Sequence, residues 1–275
     1  MAEVLDFRVP AESSKTLLLC GPEPAVAEHS LYAAFSEFGL LYSVRVHKNA
    51  AIAQPGCYAI VKFYSARDAS RAQQACNKQR LFQKSPLKVC ICTKQRVFQQ
   101  QVFALSSHKC QELANYYLGF NGWSSRIITL QNISGFDEEY EELGGLSQRQ
   151  CLKYLCALEV TLPNHGICTR GIGLAEAQLE NSQDSLEFVT KTGRVQKLAV
   201  GKALSSAFQK LLLIVLENGK VAVEYTSGQE ESIDSLTEEE LKGLIQVNDL
   251  SLEHFNHEED EEFACDLSLD EAHIL

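Results

Sequence analysis

Residues 108–123 read His-Lys-Cys-Gln-Glu-Leu-Ala-Asn-Tyr-Tyr-Leu-Gly-Phe-Asn-Gly-Trp, and the organisation of the chain can be worked out from them in both directions. Cys110, Leu113, Ala114 and Tyr117 recur at the spacing of one helical face. The spacing predicts a helix that begins near Ser107 and stops at Gly119, followed by a strand over 123–130.

Towards the C-terminus comes an acidic loop with Asp137, Glu138, Glu139, Glu141 and Glu142. Residues 152–162 are rich in strand formers, and the short glycine-containing stretch 167–175 is expected to pair with them. Residues 181–191 show no clear period and read as loop. In 194–210, Val200, Leu204, Ala207, Phe208 and Leu211 form one stripe of a helical wheel, with Lys202, Ser206, Gln209 and Lys210 opposite. Residues 212–216 and 220–225 flank Glu217-Asn218-Gly219, which predicts a hairpin with a type I′ turn. From residue 226 the composition predicts disorder, with one short helix at 236–245.

Towards the N-terminus, 94–101 is a polar, glutamine-rich break. Before it, 15–20 is a short apolar run, and Leu31, Ala34, Phe35 and Phe38 mark a helix stopped by Gly39. Strands are expected at 41–47, 57–64 and 87–93. Ser65 with Asp68 resembles a capping box opening a helix through Ala69, Ala72 and Cys76. The order is βαββαβ, a sandwich of four strands and two helices.

Charge is distributed unevenly. The chain has 275 residues and a net charge of -11, but the last fifty carry sixteen acidic residues and one base, Lys242. The first 225 are therefore at +4, and at +9 without the acidic loop. A basic body with an acidic tail suits a polyanion partner plus a competitor for it, or a tail kept for solubility. No secretory leader is expected, because the first ten residues include Glu3 and Asp6 and no apolar run. The longest apolar stretch, 211–216, is far short of the roughly 18 residues of a membrane span. Ten cysteines without a leader point to a reducing compartment. There is no C-x-x-C pair, and neither His165 with Cys168 nor His254 with His257 completes a four-ligand set, so no metal or cofactor is expected. Gly171-Ile172-Gly173 lacks the third glycine of a dinucleotide loop, and no hydrolase, kinase or phosphate-loop signature occurs, so no catalytic residues are assigned.

Gly56-Cys57-Tyr58-Ala59-Ile60-Val61-Lys62-Phe63 resembles the third-strand signature of the RNA-recognition motif at its third, fourth, sixth and eighth places, and departs from it at the first, second and fifth. Alternation puts Leu18, Tyr58, Ile60 and Lys62 on the open sheet face, where members of that family stack bases on aromatics. Two of the three usual platforms are aliphatic here, which removes roughly 2–6 kcal/mol of base binding. Tyr58 remains as a stack, with Lys62 and Arg45 as phosphate contacts. Leu113-Ala114-Asn115 followed by Gly119, Asn121, Gly122 and Trp123 resembles the Rad-fifty-two-type strand-annealing motif, and the likeness extends over 107–210. The two modules together resemble a small vertebrate family that fuses them.

That resemblance implies binding of single-stranded DNA, double-stranded DNA and RNA, in nucleus and cytoplasm. It also implies a role in the DNA-damage response or recombinational repair, including tolerance of cross-linkers such as cisplatin. Annealing proteins hold a strand by its backbone in a basic groove, and the resemblance places Lys109, Gln209 and Lys210 at groove positions, with Lys202 on the same helix. A homodimer or small homo-oligomer is expected, and no membrane partner. The expected fold is α+β, divided into an N-terminal arm (1–14), the ferredoxin-like module (15–94), a linker (95–106), the annealing-like domain (107–226) and an acidic tail (227–275). The alternative is a non-catalytic protein-interaction adaptor whose nucleic-acid modules are degenerate.

Overall fold

The computed structural model describes residues 2–21, 27–49, 56–81, 85–92, 103–134, 151–179, 185–226 and 237–243. The acidic loop at 137–142, the glutamine-rich break and most of the tail lie outside the described residues. Contacts divide the chain into two units, one of residues 1–104 with 212–224, the other of 105–211 with 225–275.

In the first unit, β2 (Thr16–Cys20), α1 (Glu28–Ser36), β3 (Leu41–Lys48), β4 (Cys57–Phe63), α2 (Ala66–Cys76) and β5 (Lys88–Ile91) follow the expected βαββαβ order. The antiparallel sheet runs β3-β4-β2-β5. Alternation sends Leu17, Leu19, Val61 and Phe63 inward, where they are fully buried with Leu31 and Phe35 of α1 and Ala69 and Ala72 of α2. Ser65 caps α2, its hydroxyl accepting the Asp68 amide at 3.1 Å.

The N-terminal segment, expected to be an arm, contains β1 (Glu3–Asp6). It pairs antiparallel with β9 (Leu211–Val215), which also pairs with β10 (Val221–Tyr225), so the 212–224 hairpin groups with the first unit rather than the second. Leu5 and Phe7 are buried, and the Glu3 carboxylate accepts from the Ser65 hydroxyl and the Ala66 amide, each at 2.6 Å. The hairpin turn is not type I′. Gly219 is left-handed (φ 78°) but Asn218 is not. The Gly219 amide donates to Leu216 O, and the Leu216 amide to Lys220 O, as in a type I turn closed by a glycine bulge.

The second unit runs α3 (Ser107–Leu118), β6 (Ser124–Asn132), β7 (Cys151–Leu162), β8 (Ile167–Gln178) and α4 (Ser185–Phe208), with sheet order β6-β7-β8. α4 starts nine residues earlier than its apolar stripe suggested, and ends two residues sooner. Its inner face carries Val195, Ala199, Ala203 and Ala207, all buried. These small residues let its backbone lie against Gly171 and Gly173 of β8. A Cβ at Gly171 would overlap the Ala203 carbonyl oxygen and the Ala207 amide, and one at Gly173 the Ala199 carbonyl and the Ala203 amide. The two glycines are thus a close-packing device.

Candidate nucleic-acid interface

The 108–123 stretch is a corner held from within. Ser106 caps α3 and Gly119 (φ 82°) ends it, while Leu113 and Ala114 are buried. The Asn115 side-chain oxygen accepts the Trp123 indole N–H at 2.8 Å, and the Trp123 ring meets Phe208 edge-on with centroids 5.2 Å apart. Gly122 has no room for a side chain beside the Leu118 carbonyl. The motif fixes the helix-to-strand turn and seats it on the end of α4. Burial pushes the Cys110 thiol up to about 12 and Cys156 up to about 11, so both stay protonated and behave as small apolar groups.

α3 and α4 border a groove of about 570 Å³. Arg194 and Lys197, one turn apart on α4, are exposed there beside Ser107, Thr190, Gly193 and Gly201, and form no ion pair among the described residues. A Cβ at Gly201 would stand 3.1 Å from the Ser107 hydroxyl, so the glycine keeps the α3 start and α4 close. Neither cation was singled out from the sequence. An i, i+3 basic pair between two glycines was the available signal.

The positions inferred from the annealing-type resemblance are less open. Lys109 pairs with Glu112 at 2.8 Å and both are half-buried. Lys202 is half-buried. The Gln209 amide reaches the Ser205 hydroxyl at 3.5 Å, just past the end of α4, and the Lys210 carbonyl accepts the Thr226 amide at 2.8 Å.

On the four-stranded sheet, register gathers the predicted residues on the open face. Ile60 lies between Leu18 and Arg45, Tyr58 between Cys20 and His47, and Lys62 between Thr16 and Ser43. Arg45 is exposed, whereas Ile60 retains only 5% exposure and has little surface for a base. Tyr58 is already stacked on His47, centroids 5.0 Å apart and planes within 20°. His47 was not read from the sequence, though its pairing opposite Tyr58 follows from strand alternation.

The outer face of β6-β7-β8 holds a closed charge cluster. Arg126 donates to Glu159 at 2.8 Å, and Arg170 Nε to the other Glu159 oxygen at 2.8 Å. Burial alone would raise the Glu159 carboxyl, but hydrogen bonds from Arg126, Arg170 and Cys168 outweigh it and hold it at about 2. Six residues back along β7, Lys153 is buried and 3.4 Å from Glu176.

The profile of the RNA recognition motif matches residues 23–87, and that of the RDM1 DSRM domain matches 105–212. Chicken (Gallus gallus) RAD52 motif-containing protein 1 is 71% identical over 272 residues, covering 98% of this chain and 96% of that one. The chain belongs to the RAD52 motif-containing protein 1 family. The human (Homo sapiens) member is 52% identical over 277 residues, 98% of this chain and 97% of that one. The first module is also similar to the third RNA-recognition-motif domain of Mip6, at 23% identity over 31% of this chain and 100% of that one, with a TM-score of 0.27. This member therefore carries two modules of nucleic-acid-binding type, with the α3-β6-β7-β8-α4 order in the second.

Proposed function

We propose that the chain is a non-catalytic nucleic-acid-binding protein that takes single- and double-stranded DNA and RNA chiefly by their phosphate backbones. The observation that carries this reading is the α3–α4 groove with Arg194 and Lys197 exposed at its edge. Two cations one helical turn apart, with no ion pair among the described residues, suit successive phosphates. The first module adds Arg45 and the Tyr58–His47 stack, a reduced platform consistent with weak base contact.

The test is a salt titration of the full chain with single-stranded DNA, duplex DNA and RNA in parallel. The logarithm of affinity falls linearly with that of salt, and Arg194→Glu with Lys197→Glu flattens the slope by about one for each phosphate no longer neutralised. Binding that ignores salt and both substitutions would refute the reading. The RAD52 motif in the family name favours a place in DNA repair, and we extend the proposal to tolerance of cross-links such as those left by cisplatin. Cells lacking the protein, complemented with the Arg194→Glu/Lys197→Glu chain, should stay cisplatin-sensitive while wild type restores survival. The reading extends to a nuclear and cytoplasmic distribution and to a homodimer or small oligomer, checked by imaging and by light scattering.

The adaptor reading draws on the buried Ile60 and on Tyr58 being occupied by His47. It expects affinity for a protein partner and none for nucleic acid at any salt.

A further inference from the structure

α5 (Glu238–Gly243) lies in the acidic tail and is docked within the second unit. Leu241 is fully buried among Ile128, Ala157 and Ile172 on the outer face of β6-β7-β8. Glu238 accepts from Arg126 at 2.8 Å, on the guanidinium nitrogen that also serves Glu159. Gln131 Nε2 donates to the Lys242 carbonyl at 3.0 Å. A capping box closes the start of the helix. The Thr237 hydroxyl accepts the Glu240 amide at 3.2 Å, and the Glu240 carboxylate accepts the Thr237 amide at 2.7 Å.

A six-residue helix cannot hold itself together in water, so α5 owes its order to this seat. Among the described residues the seat is small, consisting of one leucine, one half-exposed ion pair and one side-chain hydrogen bond. Gains of that size are comparable with the cost of ordering the segment. Docking also fixes position 241 within a stretch of fifty residues whose net charge is -15.

We propose that the outer face of β6-β7-β8 is a docking surface for a short acidic amphipathic helix, filled by the chain's own residues 238–243, and that the docked helix, with Glu238, Glu239 and Glu240 in its first turn, lowers the affinity of the domain for nucleic acid. This rests on the nucleic-acid reading above and adds its regulation. The helix acts as a latch, and opening it takes Glu238 away from Arg126, which keeps its bond to Glu159, and lowers the local density of negative charge.

The test uses the full chain with Leu241→Asp, Glu238→Lys and, as control, Glu239→Lys, which makes the same charge change at an exposed position with no seat contact. Hydrogen exchange reports docking directly, and a single-stranded DNA titration at low salt reports competition. The latch predicts that Leu241→Asp and Glu238→Lys both deprotect the α5 amides and the β6 backbone around Gln131, and that Glu239→Lys does not. It predicts about three- to tenfold tighter DNA binding for Leu241→Asp. The sign is decisive, because Asp adds negative charge and without a latch should weaken binding. Glu238→Lys leaves the leucine seat intact and guards against a folding defect in Leu241→Asp.

The proposal is overturned by weaker or unchanged binding in Leu241→Asp, by Glu239→Lys matching Glu238→Lys in both measurements, or by unprotected α5 amides in the wild type. Failure of every chain to bind DNA, with α5 still protected, removes the competition along with the nucleic-acid reading. Tight wild-type binding that Leu241→Asp leaves unmoved removes the latch alone.

Discussion

On the four-stranded sheet the outward row Leu18, Ile60, Arg45 sits beside the Tyr58–His47 stack, and Arg45 is exposed to solvent with no ion pair among the described residues. On the three-stranded sheet the outward row Arg126, Glu159, Arg170 closes on itself, and a helix from the tail covers the apolar patch beside it. Both faces carry arginines on alternating strand positions, which look equivalent in sequence. Whether a cation is offered to a phosphate depends on the carboxylate across the ladder, and that neighbour is set by register. The inner faces differ as well. The first sheet fills its interior with large side chains, whereas the second admits a helix backbone against glycine.

The largest effect should come from that inner-face difference. Gly173→Ala places a Cβ onto the backbone of α4 at Ala199 and Ala203, where no side-chain rotation relieves it. Destabilisation of roughly 3 kcal/mol or more is expected in thermal or urea unfolding, selectively in the second unit. Gly193→Ala, on the exposed side of the same helix with nothing near its Cβ, should be neutral or slightly stabilising. Equal losses at the two positions would mean that the close approach is not what holds this sheet to its helix.

The closed charge cluster gives the second contrast. The Glu159 carboxyl is held at about 2 against an ordinary value of 4.5, so its stabilisation is fully present above pH 4.5 and drains away as pH falls towards 2. Glu159→Gln should cost on the order of 2 kcal/mol at neutral pH, leave Arg126 and Arg170 facing each other, and remove that part of the acid dependence. Unfolding midpoints of the two chains from pH 2 to 7 should diverge upwards from the acid end. Parallel curves would show that the cluster contributes nothing.

The sequence made some of this architecture legible. The βαββαβ order, the α3 corner and the β7-β8 hairpin follow from apolar period and glycine position, because each is local. β1 was not legible, since four residues carry little pattern and their partner β9 lies about two hundred residues away. The first third of α4 was obscured because Leu186, Phe188 and Val189 are exposed and break the stripe, while Thr190 and Thr192 bond back to the carbonyls of Leu186 and Phe188. Of the candidate site, the sheet residues were found through alternation. Arg194 and Lys197 carry no motif likeness, which points instead to Lys202, Gln209 and Lys210 further along the chain.

That divergence can be tested on binding. The Arg194→Glu/Lys197→Glu chain should lose about tenfold or more in single-stranded DNA affinity at low salt, while Lys109→Glu, already neutralised by Glu112, should lose little. A larger loss at Lys109 would move the phosphate path to the α3 face that the annealing-type resemblance indicates.

The smallest effect concerns the first sheet. An aromatic platform usually contributes roughly 1–3 kcal/mol per stacked base. Tyr58 already has one ring face against His47, so a base must use its other face or displace the imidazole. Tyr58→Ala should therefore cost RNA binding about 1 kcal/mol, at the bottom of that range. His47→Ala separates the two possibilities. If the base takes the free face, losing the imidazole loosens the tyrosine and weakens binding slightly. If the base must displace the imidazole, His47→Ala tightens binding, and the sheet that looks depleted of aromatics is instead one whose remaining platform is held shut by its own neighbour.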